Sequence, residues 1–129
     1  AKRYIDIIHK SGQTLLNVVN DILDFSKIES GELSIFETES DLFKEVEAMV
    51  ATFASVAKNK HIEYFTYIDS KIPKLLQCDI QRIKQVLSNL ISNAIKFTPD
   101  SGKVGVNIVL TNKINNKANI SFSVRDSGI

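Results

Sequence analysis

Apolar residues recur at helical spacing through the first part of the chain. Between residues 4 and 29 they repeat every three, four or seven positions and form a broad apolar side. A helix with so wide an apolar side suits a bundle in which it contacts two neighbours. The segment "ESGEL", from Glu29 to Leu33, interrupts this pattern with Ser and Gly. We therefore predict two domains, residues 1–30 and residues 31–129.

The hydrophobic pattern beyond this boundary alternates between short strands and longer helices. A β-like run covers Leu33 to Thr38, and the next segment predicts a helix whose N-cap is Ser40 or Asp41. A strand is predicted from Ile62 to Asp69.

A second long helix is predicted from Ile80 to Phe97, with Asp79 as its N-cap and Thr98-Pro99 as its end. Two alternating segments, "KVGVNIVLT" and "NISFSVRD", predict strands, and the polar "NKINNKAN" between them is interpreted as a hairpin loop. The order after the first helix is β-α-β-α-β-β, so the fold class is α/β (α+β), with helices packed on a sheet.

A polar stripe runs along the second long helix. The apolar face that is expected to pack onto the sheet comprises Ile83, Val86, Leu87, Leu90, Ile91, Ala94 and Ile95. The stripe beside it comprises Arg82, Gln85, Asn89, Asn93 and Lys96. Amide oxygens suit a hard cation and an ammonium suits anionic oxygens, so a Mg-phosphate ligand would fit the stripe. A solvated helix face explains the same pattern, and the pattern alone leaves both interpretations open.

The last strand ends in an acidic residue that is followed by a glycine. Asp126 can accept hydrogen bonds there, and Gly128 would allow the backbone to approach a flat ligand closely. An ordinary Asp-Ser-Gly turn is the other interpretation.

Composition narrows the classes of partner and compartment. Sixteen basic and fifteen acidic residues give a net charge of +1, so nucleic acid is not an expected partner. Cys78 is the only cysteine, which excludes a disulfide framework and favours a reducing compartment. Apolar runs are too short to cross a bilayer. We therefore expect a cytoplasmic location without membrane contact for this segment, although a longer parent protein could be membrane-anchored.

Two motifs together resemble a known family. The segment "DIQRIKQVLSNLISNAIKFT", followed about thirty residues later by "VRDSGI", resembles the N box and the opening of the first glycine box of the sensor histidine kinases. Upstream, "LLNVVNDILDFSKIESGEL" resembles the second helix of their dimerisation and phosphotransfer domain, and "DFSKIESG" is typical of hybrid-type kinases. The resemblance implies a Bergerat-type ATP-binding sandwich, here its N-terminal part, and transfer of the ATP γ-phosphate to a histidine for relay to a response regulator or receiver domain.

The resemblance also assigns roles on the phosphate side of such a site. Asn93 matches the asparagine that coordinates Mg²⁺ in the family, and Asn89 matches the second amide near the phosphates. Lys96 matches the basic residue that meets the phosphate oxygens.

The remaining roles concern the base and the partner chain. Phe97 is expected near the nucleotide, Asp126 matches the aspartate that accepts the adenine amino group, and Gly128 matches the first glycine beside it. In the family, two helical hairpins form a symmetric four-helix bundle, which implies a homodimer through residues 4–28.

Some features of the family are not found in this sequence. The His-Glu-x-Arg-Thr-Pro motif of the phosphoacceptor is not present, and neither His9 nor His61 is expected to be phosphorylated, so no catalytic residue is assigned. The later glycines and the lid lie beyond Ile129, so the chain alone is expected to be inactive. The alternative function is a non-catalytic dimerisation module from a degenerate kinase relative. A gyrase-like or mismatch-repair ATPase is disfavoured because "DILDFSKIESG" has no place there.

Overall fold

A computed structural model describes residues 2–31 and 34–127 of the chain. Contacts within it separate two compact units, residues 1–35 and residues 36–129. This division falls five residues after the boundary predicted from the sequence, and the assignment of the two segments to two functional domains stays a prediction.

The described residues of the first unit contain one helix. Helix α1 spans Lys2–Ser30, close to the predicted range, and its apolar side chains are exposed along the whole helix. It ends at Gly31, whose φ of 74° is the left-handed conformation that favours glycine, and the Gly31 N–H donates to Ile28 O at 3.2 Å.

Two helices of the second unit begin at aspartates. Helix α2 spans Leu42–Asn59, and Asp41 rather than Ser40 is its N-cap, because Asp41 Oδ1 accepts from Lys44 N at 3.1 Å. Helix α3 spans Ile80–Phe97, and Asp79 caps it as predicted, with Oδ1 accepting from Arg82 N at 3.2 Å.

Within residues 36–127 of the second unit, five strands form two sheets. They are β1 Thr38–Ser40, β2 Glu63–Ile68, β3 Leu76–Cys78, β4 Lys103–Ile114 and β5 Lys117–Asp126. Strands β1 and β3 pair antiparallel, whereas β4 is the centre of a three-stranded sheet, parallel to β2 and antiparallel to β5. Helices α2 and α3 contact each other and pack on this larger sheet. The predicted fold class, α/β with helices packed on a sheet, is confirmed.

The structure corrects the predicted elements around β1 and β3. The β-like run predicted from Leu33 to Thr38 was misplaced, because residues 34–37 form no strand and β1 begins at Thr38; Leu33 lies outside the described residues. Strand β3 was not predicted. Its three residues pair with β1, from Thr38 opposite Cys78 to Ser40 opposite Leu76. The order of the second unit is therefore β-α-β-β-α-β-β.

The predicted eight-residue hairpin loop is also wrong. Strands β4 and β5 continue through that segment, and only Asn115 and Asn116 form the turn, with φ values of 51° and 62°. Asparagine tolerates this left-handed conformation, which two-residue hairpin turns require at both positions. A register shift between Leu110 and Asn112 accommodates one extra residue in β4.

The core lies between the helices and the larger sheet. Its buried apolar residues are Leu42, Val46, Val50, Ala57, Ile62, Ile72, Leu87, Ile91, Ala94, Ile95, Val104, Val106 and Ile108. The predicted packing face of α3 is correct in part. Val86 and Leu90 are 59% and 44% exposed, so the buried strip of α3 is narrower than its apolar arc.

Asp69 fixes the end of β2 against β4. Its buried carboxylate accepts from Lys71 N and Leu110 N, each at 3.0 Å, and its own N–H donates to Ile108 O at 2.8 Å. The Lys71 hydrogen bond above all, together with the Leu110 hydrogen bond, lowers the pKa of Asp69 against the opposing effect of desolvation.

We predict that Asp69→Asn lowers the free energy of unfolding near neutral pH and weakens its dependence on acid. A carboxylate with a lowered folded-state pKa stabilises the fold fully above its unfolded pKa of about 4, and this contribution is lost as pH falls through the folded pKa. Urea unfolding of both proteins between pH 2 and pH 7 measures the effect. Parallel curves for the two proteins across this range would contradict the assignment.

Candidate functional site

The polar stripe of α3 lies on the solvent side of the helix. Asn89, Asn93 and Lys96 are exposed, whereas the buried strip of the same helix faces the core. Earlier in the stripe, Arg82 Nη1 donates to Gln85 Oε1 at 2.8 Å. The two amides are four residues apart and therefore project from the same side of the helix on consecutive turns.

The last turn of α3 carries a cation beside an aromatic ring. The Lys96 ammonium lies 5.4 Å from the centroid of the Phe97 ring, which is within the range of a cation–π contact. Phe97 is 65% exposed. An exposed ring next to an ammonium offers a flat apolar surface and a positive charge to the same ligand.

Asp126 lies on the helix-facing side of β5. It pairs with the buried Val104 of β4, and two residues earlier Val124 pairs with Val106. Because residues directly opposite in a sheet project to the same face, Asp126 shares the face on which α3 packs. Ile120, Phe122 and Val124 on the same face of β5 pack against the core.

The segment from Thr98 to Lys103 joins the end of α3 to the end of β5. Lys103 N donates to Ser127 Oγ at 2.8 Å, and Ser127 N donates to Lys103 O at 3.0 Å. Gly102 lies between these ends, where a side chain would collide with Thr98 and would lie 3.0 Å from Ser127 Oγ. The structure therefore brings Lys96, Phe97 and Asp126 to one end of the sheet.

Asn93 and Asn89 lie one and two turns before the end of α3. They therefore extend the same group of side chains along the helix away from Asp126. The sixth predicted site residue, Gly128, lies outside the described residues.

A further contact at this end was not predicted from the sequence. Lys60, just after α2, donates from Nζ to Ile95 O and Lys96 O, each at 2.9 Å. His61 follows in a turn with a φ of 58°. The only signal for such a contact is a lysine close to a helix end, which is common in any sequence.

The amide oxygens of the stripe suit a cation that is already bound to an anionic ligand. Among residues 2–31 and 34–127, no three His, Cys, Asp or Glu side chains form a cluster that could hold a metal ion. A hard cation on α3 would take a neutral oxygen from Asn93 or Asn89 and its remaining oxygens from the ligand and water. The donor set thus fits Mg²⁺ bound to phosphates.

An apolar pocket of about 240 Å³ opens beside the stripe. It lies between α3 and β5, and its lining comprises Arg82, Ile83, Val86, Leu87, Leu90 and Phe122. Val86 and Leu90, which are exposed, thus form a second apolar surface on the same helix as the two amides.

Both segments of the chain match known protein families. Residues 1–31 match the His Kinase A (phospho-acceptor) domain, and residues 78–129 match the histidine kinase-, DNA gyrase B- and HSP90-like ATPase family. The second match contains α3, β4 and β5, which carry the candidate site. Curated relatives share both segments. A hybrid signal transduction histidine kinase L from Dictyostelium discoideum is 39% identical over 98% of the chain. The chain belongs to the sensor histidine kinases.

Other histidine kinases align over nearly the whole chain. The sensor protein GacS from Pseudomonas syringae is 36% identical over 98% of it. The chain spans 7% of the length of the Dictyostelium kinase and 14% of that of GacS, so it corresponds to a small part of these proteins.

Solved kinase structures share the fold of the chain. Full-length ShkA in complex with AMPPNP matches 98% of the chain with a TM-score of 0.76 and 28% identity, over 26% of its own length. Histidine kinase ThkA in complex with the response regulator TrrA matches 99% of the chain with a TM-score of 0.67 and 27% identity, over 35% of its own length.

We predict that Gly102→Ala destabilises the second unit by about 2 kcal/mol, because the added methyl group collides with Thr98 and with the Pro99 carbonyl. Gly105→Ala in β4 is the matched control, since a methyl group there has open space. Denaturant unfolding of both variants checks the difference, and equal stabilities would contradict the close packing described for this kinase segment.

Proposed function

We propose that the second unit of the chain is the N-terminal part of a kinase domain that binds Mg-ATP. The observation that carries this proposal is the meeting of the amide and ammonium stripe of α3 with Asp126 at one end of the sheet. The amide oxygens can bind a hard cation, the ammonium can pair with anionic oxygens, and the carboxylate can accept a hydrogen bond from an amino group. The nucleotide analogue in the related ShkA structure supports the same ligand class.

Each side chain of the site has a defined task in this proposal. Asn93 gives an amide oxygen to Mg²⁺, which adds no negative charge beside the phosphates, and Asn89 lies next to them. The Lys96 ammonium pairs with phosphate oxygens, and Phe97 covers part of the nucleotide. Asp126 accepts a hydrogen bond from the adenine amino group. ATP supplies the phosphoryl group, so the task of these residues is to position it and to neutralise charge.

The parent protein, in this proposal, phosphorylates a histidine and passes the phosphoryl group to a response regulator or receiver domain. The related structure of ThkA with TrrA supports a partner of this kind. A cytoplasmic location follows from the use of ATP. Within the described ranges, no helix has the length and apolarity needed to cross a membrane. That the 129-residue chain alone is inactive stays a prediction.

Replacement of Asn93 by alanine tests the nucleotide assignment. In a chain extended through the remaining ATPase domain, Asn93→Ala is expected to weaken Mg-ATP binding by about a hundredfold, because the metal loses its protein ligand. Titration calorimetry gives Kd, and Asn119→Ala on the exposed side of β5 is the control. A folded extended chain that binds no nucleotide would instead favour the alternative, a non-catalytic dimerisation module.

The exposed apolar side of α1 supports homodimerisation. Ile8, Leu15, Val19 and Ile22 lie along one side and are 70%, 65%, 43% and 58% exposed. Apolar patches of this extent on a protein surface indicate an interaction site. In a symmetric bundle the same face of a second copy covers this side.

A charge introduced on the apolar side of α1 tests the dimer. Val19→Lys places an ammonium in the centre of the apolar side and is expected to raise the dimer dissociation constant at least about tenfold, since the charge must be desolvated. Asn17→Lys adds the same charge on the opposite side of the helix and is the control. Sedimentation equilibrium measures both variants, and a monomeric unmodified protein would refute the proposal.

A further inference from the structure

The C-terminal end of α3 lacks a glycine cap. The last four carbonyl groups of a helix have no partner within it, and many helices satisfy some of them through a left-handed glycine. Here the cap residue Thr98 is extended, with a ψ of 128°, because Pro99 follows it. Thr98 satisfies only Ala94 O, through its N–H at 3.1 Å and its Oγ1 at 2.7 Å.

Lys60 satisfies the next two carbonyls from outside the helix. Its half-buried side chain donates to Ile95 O and to Lys96 O at 2.9 Å each. One ammonium thus holds the backbone of the turn that carries Lys96 and Phe97. Charge-assisted hydrogen bonds of this kind are about twice as strong as neutral ones.

The backbone around Lys60 is itself fixed to the segment that follows α3. Lys60 N donates to Ala57 O at 3.1 Å, which places the residue at the end of α2. Ser101 N donates to His61 O at 3.1 Å, and Glu63 N donates to Gly102 O at 2.9 Å. The Lys60 ammonium therefore reaches α3 from a turn that has little freedom to move relative to it.

Lys60 also brings a positive charge to this end of α3. The C-terminal end of a helix carries a partial negative charge of about half an elementary charge, which opposes the binding of an anion nearby. Asn93, Lys96 and Phe97 all lie in the last two turns of α3. An ammonium on the terminal carbonyls neutralises this end and makes it compatible with phosphate groups.

We infer that Lys60 is a positioning residue of the nucleotide site: it fixes the last turn of α3 and neutralises its negative end, so that Lys96 can meet the phosphates. The inference rests on the proposed binding of Mg-ATP and adds a residue that lies outside both sequence motifs. Lys60 does not touch the nucleotide in this account; it acts through the backbone of α3.

Three substitutions in the full-length protein separate this role from a loss of charge in general. Lys60→Met removes the ammonium and keeps the length of the side chain, Lys60→Arg keeps the charge and the donors, and Lys58→Met removes an exposed charge two residues earlier. Titration calorimetry is expected to give a Kd for Mg-ATP about tenfold higher for Lys60→Met and within about twofold of the unmodified protein for Lys60→Arg and Lys58→Met.

A double-mutant cycle with Lys96→Met identifies how Lys60 acts. If Lys60 acts through the turn that holds Lys96, then Lys60→Met added to Lys96→Met raises Kd by less than about twofold. Thermal unfolding of every variant is measured in parallel, and the titrations are made well below the lowest midpoint. A loss of folded protein therefore cannot be mistaken for weaker binding.

Each outcome decides the inference. A tenfold effect of Lys60→Met that disappears in the Lys96→Met background supports it. A lower unfolding temperature with an unchanged Kd shows that Lys60 is only a structural cap and overturns the inference alone. Additive effects of Lys60→Met and Lys96→Met overturn the route through Lys96. If the unmodified protein binds no Mg-ATP, the proposed function is wrong, and the inference is wrong with it.

Discussion

Packing of one strip of α3 onto the central sheet is the constraint on which the rest of the second unit depends. Leu87, Ile91 and Ala94 are almost completely buried. Because their burial fixes the rotation of the helix about its axis, it also determines which residues project outward. The amides therefore need no network of their own to be held in place, since the core positions them. The fold and the proposed ligand chemistry use different faces of the same eighteen residues.

The ends of several elements converge around the short segment after α3. The turn after α2, the end of α3 and Ser127 at the end of β5 all contact residues 98–103. This convergence explains how two motifs far apart in the sequence can contribute to one candidate site. It also concentrates backbone polar groups at one place, and most of their partners are backbone groups rather than side chains.

Local signals in the sequence were sufficient to predict most helices and strands. They did not reveal which strands pair over a long separation in the sequence. The aspartate caps and the Pro99 stop could be predicted because each acts within a few residues of itself. Strand β3 could not, since three residues carry little periodicity and its partner β1 lies far away in the sequence. Helical periodicity predicted which residues form the apolar face of α3, but it could not predict that the sheet covers only a narrower strip of that face. The motifs predicted the candidate site residues, which stay a prediction, whereas the contact of Lys60 with α3 depends on the tertiary fold.

The mixed topology of the larger sheet has a consequence for the order of folding. Strands β4 and β5 are joined by two residues, whereas Glu63 of β2 pairs with Lys103 of β4 across 103 − 63 = 40 positions. Closure of the longer segment costs about 2 to 3 kcal/mol more in chain entropy. The hairpin can therefore form early by itself, but β2 is favoured only once α3 shortens the intervening segment and docks. The parallel pair and the helix that carries the site then belong to one cooperative step.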